Sequence, residues 1–112
     1  MINEEKMDEV LLELGHDDFS RGTDYVRQAV KMYEPGMAFT KQLYPALAKA
    51  NDTTPGAIER SMRHSIEKAW TRGDERAQLR YFGCSVDPDS GKPTVSEYVC
   101  RLARICHYGL GR

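Results

Sequence analysis

Residues 53–73 read TTPGAIERSMRHSIEKAWTRG, the longest helical pattern in the chain. Thr54-Pro55 is a helix start: a hydroxyl at the cap, then a proline at the first helical position, where its missing N–H costs nothing. Ile58, Met62, Ile66, Ala69 and Trp70 then fall on one apolar stripe, and Gly73 closes the segment. The opposite face carries Glu59, Arg60, Arg63, His64, Lys68 and Arg72. Arg60, Arg63 and His64 stand at i, i+3 and i+4 and share a side of the helix. Immediately before lies a short polar break, Asn51-Asp52-Thr53, and before that a helical segment over about 39–50 with Leu43, Tyr44, Leu47 and Ala48 inward. Helix, short break, helix gives the dimensions of a helix-turn-helix over about residues 40–73, whose second helix enters the major groove of DNA. Pro45 lies inside the first of the two helices and predicts a late start or a bend there.

The remainder is also helical. Met7, Val10, Leu11 and Leu14 mark an acidic amphipathic helix over about 4–14, with Gly15 at its C′ position. Ser20 or Thr23 caps a second helix with Tyr25, Val26, Ala29, Val30 and Tyr33 inward, ended by Pro35-Gly36. Ala77, Leu79, Tyr81 and Phe82 predict a short fifth helix ending near Gly83, and residues 84–93, CSVDPDSGKP, a loop. Thr94 and Glu97 form a capping box for a last helix with Val95, Tyr98, Val99, Leu102 and Ile105 inward. No stretch shows the alternation of a strand. The expected fold is all-α, a six-helix domain spanning residues 1–112.

Composition agrees. The chain has 112 residues, 40% hydrophobic and 29% charged, with 16 basic and 17 acidic side chains for a net charge of −1. That is the balance of one globular domain with a core of its own. The charge is segregated: residues 1–19 hold seven acids against one base, leaving the rest basic by five. No apolar run reaches membrane-spanning length, and MINEEKMDEV has no signal-like apolar region, so a cytoplasmic protein is expected. Cys84, Cys100 and Cys106 are odd in number and lack metal-ligand spacing. His16 beside Asp17 and Asp18 has no second cluster to make a metal or acid–base site, and Trp70 belongs to the core. No nucleophile elbow or phosphate-cradling glycine loop is present, so neither an enzyme nor a cofactor is expected.

On the residues alone, the charged face of 55–72 is either a DNA-reading surface or a solvated face laced by ion pairs such as Glu59 with Arg63. The run 53–73 resembles the recognition-helix segment of the sporulation master response regulators, the stage zero sporulation protein A family, in their C-terminal DNA-binding effector domain. LLELG at 11–15, TKQLYPALAKA at 40–50, LRYFGCSV at 79–86 and KPTVSEYVCRLA at 92–103 are similar in the same order, so the resemblance covers about residues 10–106. It implies a transcriptional regulator that binds double-stranded promoter boxes, often in tandem and as a dimer on DNA, and contacts the sigma subunit of RNA polymerase. Carried over by position, it implies base contacts from Glu59 and Arg60. Arg63 and His64 lie on the same DNA-facing side, Thr54 and Gly56 meet phosphate, and Leu79, Phe82 and Val86 fall in the polymerase-contacting stretch. Lys68 and Arg72 are expected to add phosphate contacts.

Two departures stand out. The family's arginine two residues before the glutamate is Ala57 here, which would remove about 1–3 kcal/mol of discrimination at one base pair. The family's phosphoacceptor receiver is also absent from these 112 residues, so a stand-alone, receiver-less effector is expected. The competing expectation is a protein-interaction module, an antagonist that binds sigma factor or a full-length regulator without reading DNA.

Overall fold

A computed structural model describes residues 3–16, 20–83 and 91–108. Six α-helices and no strand occur among them: α1 (Glu4–Glu13), α2 (Arg21–Met32), α3 (Tyr44–Ala50), α4 (Pro55–Arg72), α5 (Glu75–Phe82) and α6 (Val95–Tyr108). The all-α expectation holds, with the helix-turn-helix formed by α3 and α4.

Most helix ends follow from local chemistry. Asn3 caps α1 by accepting from the Lys6 N–H, and Ser20 caps α2 by accepting from that of Thr23. Thr54 accepts from the Ala57 N–H at 3.1 Å. At α6 the capping box is reciprocal: Glu97 accepts from the Thr94 N–H at 2.8 Å while Thr94 accepts from the Glu97 N–H at 3.1 Å. Gly15 ends α1 at φ +98°, with the His16 N–H donating to the Leu11 carbonyl and the Gly15 N–H to that of Leu12. This is a Schellman closure, and it turns the residue after the glycine back onto the helix.

One boundary differs from the sequence reading, the end of α2, while α3 takes the late start that Pro45 predicts. Helix α2 stops at Met32, and Tyr33 is an extended C-cap whose ring lies 5.5 Å from that of Phe39. Residues Phe39–Leu43 wind as a π-helical turn, and α3 proper starts only at Tyr44. Pro45 is the physical reason. Its ring collides with the carbonyl four residues back in a tight α turn, and the wider π turn gives it room.

One core cluster joins all six helices, with Met7, Leu11, Val26, Leu47, Met62, Ile66, Tyr98 and Leu102 essentially inaccessible. Helix α4 is its hub, packing on α2, α3 and α6. At the α2–α4 crossing Gly22 lets the backbones touch: a Cβ there would lie 2.4 Å from the Ser61 carbonyl oxygen and 2.5 Å from Ser65 Cβ. Among the described residues no helix is long and apolar enough to cross a membrane.

Candidate nucleic-acid interface

The turn between α3 and α4 sets how α4 is presented, and it is tightly closed. Asp52 sits at φ +53°, where glycine is usual and aspartate among the better-tolerated alternatives. The Thr53 N–H donates to the Ala48 carbonyl at 3.0 Å. Asn51, polar where such motifs often carry an apolar residue, exchanges hydrogen bonds with Gln28 of α2. The Asn51 amide donates to Gln28 Oε1 at 2.8 Å, and that of Gln28 donates to Asn51 Oδ1 at 3.1 Å. The turn is thereby fastened to the helix on which α4 packs.

Successive residues of α4 are rotated by about 100°. The inward stripe of Ile58, Met62, Ile66 and Ala69 is buried. Arg60 and His64 project from the opposite side and are exposed, with no hydrogen-bond or ion-pair partner among the described residues. Thr54 and Gly56 are exposed at the helix start, with open space where a Gly56 Cβ would lie. Arg63 is on one flank, where its Nε donates to Glu59 Oε2 at 3.1 Å. Lys68 and Arg72 are on the other flank, and Arg72 Nε donates to the Gly15 carbonyl at 3.3 Å, tying it to the α1–α2 corner. Arg60 and His64 thus stand on the solvent side of α4, with Arg63 on one flank and Lys68 and Arg72 on the other.

The acidic helix α1 does not cover that surface. Asp8 accepts from Arg27 at 2.8 Å, Glu4 from Lys31 at 3.3 Å, and Glu13 from Tyr81 Oη at 3.0 Å with Arg80 at 3.8 Å. Asp17 and Asp18 lie outside the described residues.

Two features of the site carry no local signal in the sequence. Lys92, in the chain entering α6, lines the grooves on both sides of the outer edge of α4; a lysine in a turn-rich loop gives no signal of this. The other is on the inner face. His16 is 4% exposed and hydrogen-bonded at 2.9 Å to Thr23 Oγ1 and at 2.6 Å to Tyr98 Oη, with Ser65 of α4 3.0 Å from Thr23 Oγ1. Burial, and then the nearby Arg72 charge, hold the His16 pKa down to about 4, and burial pushes the Tyr98 phenol far up. His16 therefore stays neutral, one ring nitrogen donating and the other accepting.

On α5, Leu79 is 68% exposed, while Ala77, Tyr81 and Phe82 are buried. Phe82 is buried, stacked on Tyr98 at 5.3 Å and edge-on to Trp70 at 5.1 Å, so its ring serves the core. Val86 and Cys84 lie outside the described residues. Cys106 is buried, its thiol pushed up to about 11 by that burial.

A comparison with protein-family models matches residues 7–105 to the family described as sporulation initiation factor Spo0A C terminal. That is a family of DNA-binding sporulation effector domains, not a class of enzymes. The match takes in every helix from within α1 to within α6, including the whole helix-turn-helix. The chain belongs to the Spo0A C-terminal family.

Proposed function

We propose that this protein is a sequence-specific DNA-binding transcriptional regulator that docks α4 in the major groove. The observation that carries this reading is the outward placement of Arg60 and His64, unpartnered among the described residues, on a helix braced from behind by α2, α3 and α6. Arg60 is the base reader, suited to bonding guanine O6 and N7 together, and Glu59 the acceptor for a cytosine amine. His64 extends the base-facing row. Arg63, Lys68 and Arg72 position the helix on phosphates, with Thr54 and Gly56 meeting the backbone at the helix N-terminus. Ala57 leaves the first turn without an arginine, so the preferred site differs from the family's box at one base pair. Two copies on tandem boxes raise occupancy through effective concentration. The exposed Leu79 is the contact offered to the polymerase sigma subunit.

The test is selection from a random duplex library with the 112-residue protein, alongside Arg60→Ala. A short motif that Arg60→Ala loses is the expected result. No enrichment even at low salt would overturn DNA reading and turn the search to protein partners, sigma factor first.

A further inference from the structure

A helix in the major groove, about 12 Å wide, has a phosphate strand on each side. Helix α4 is unequally equipped for the two. On the side facing the α1–α2 corner it offers Lys68 and Arg72. On the side facing α6 it offers Arg63, whose Nε is engaged by Glu59 at 3.1 Å, and the acid Glu67, which also borders the Lys68 side. Taken alone, that second flank carries two acids and one base, a poor surface for a phosphate strand.

The chain entering α6 changes this. A cleft of about 500 Å³ is lined by Glu59, Arg63 and Glu67 of α4 and by residues 92–96, Lys92 among them. Lys92 also lines the adjoining groove with His64, Glu67, Lys68 and Arg72, so it lies beside the outer edge of α4. It is exposed, and no ion pair is formed by it among the described residues. Resting on the DNA-binding reading above, we propose that Lys92 is the phosphate contact for the second strand, clamping the DNA backbone against the Arg63 flank of α4. The ligand is the phosphodiester backbone, so the contact is blind to sequence and adds affinity and register.

The experiment is a salt titration of the full chain on the duplex selected by the wild-type protein and on a scrambled duplex, for wild type, Lys92→Gln and Lys92→Arg. Thermal melts of the same proteins confirm that each is folded. Removing one phosphate contact makes the log–log salt slope shallower by about 0.9. Lys92→Gln is expected to show that change, with a several-fold loss of affinity equal on both duplexes, and Lys92→Arg to retain wild-type behaviour. An unchanged slope and affinity in Lys92→Gln would sink the inference while leaving DNA reading intact. So would a loss confined to the selected duplex, which marks a base contact, or full rescue by adding Glu67→Gln, which marks Lys92 as a neutraliser of that acid. Failure of the wild type to bind either duplex would remove the DNA-binding reading and this one with it.

Discussion

The two faces of α4 put polar chemistry to opposite uses. Toward the core, Ser65 joins His16, Thr23 and Tyr98 in a buried set of hydrogen bonds spanning the α1–α2 corner, α2, α4 and α6. Toward solvent, Arg60 and His64 stand exposed without partners among the described residues. A buried polar group is costly when it loses its partner. An exposed one gives little to stability and is available for recognition. The inner face should therefore answer to stability measurements and the outer face to DNA measurements, with little crossover.

The strongest way to break this comparison is Gly22→Val. With the Ser61 carbonyl 2.4 Å from any Cβ there, α2 and α4 must part. Overpacking of a core costs about 1–3 kcal/mol and more where backbone resists, so the variant should lie at or beyond the upper end in urea unfolding. A loss under about 1 kcal/mol would mean that the crossing is loose and the inner face no joint at all. His16→Ala comes next. It leaves the buried Tyr98 hydroxyl without its partner, at roughly 1–3 kcal/mol, while Thr23 keeps Ser65, and it leaves a void. About 3 kcal/mol is expected at neutral pH, measured the same way.

Acid tests the same histidine without mutation. Its pKa is depressed from 6.5 to about 4 in the folded protein, so the unfolded chain binds the extra proton first. The stability His16 contributes is complete above pH 6.5 and is lost as the pH falls to about 4, by roughly 3 kcal/mol over that window. Chemical unfolding at a series of pH values should show this slope in the wild type and lose most of it in His16→Ala. Equal slopes in both would remove His16 as its source.

The two faces also differ in how far the sequence exposes them. The stripe of Ile58, Met62, Ile66 and Ala69, the caps at Ser20, Thr54 and Thr94, and Gly15 at positive φ are set by residues within a few positions of one another, and period and cap chemistry reveal them. The outer row of α4 follows as the complement of its stripe. The buried joint is invisible for the converse reason. The partners of His16 lie 7 and 82 residues away, and Ser65 49 away. Each is a small or polar residue with an ordinary local explanation, Thr23 being a possible cap and His16 a loop residue beside acids. Leu79 and Lys92 were hidden similarly. Which side of a two-turn helix faces water, and where a loop lysine comes to rest, are settled by α4 and α6 and not by the neighbouring sequence.

The outer face should be nearly silent in stability. Arg60→Ala and Lys68→Ala are expected within about 0.5 kcal/mol of wild type. The Glu59–Arg63 pair tests this division, because there two side chains of the outer face are already engaged with each other. The side chains are 45% and 36% exposed for Arg63 and Glu59 respectively. An exposed i,i+4 pair of this kind contributes about 0.3–0.5 kcal/mol, less as salt rises. Glu59→Gln should therefore barely move the unfolding midpoint. Its effect on DNA should be larger and divided. Releasing Arg63 for phosphate strengthens binding to any duplex, while losing the cytosine acceptor costs about 1–3 kcal/mol at one base pair. Affinity for a scrambled duplex then rises as preference for the selected motif falls. Should Glu59→Gln instead destabilise the fold by more than about 1 kcal/mol and leave DNA preference untouched, the pair belongs to the inner architecture, and the division between the faces of α4 fails at this residue.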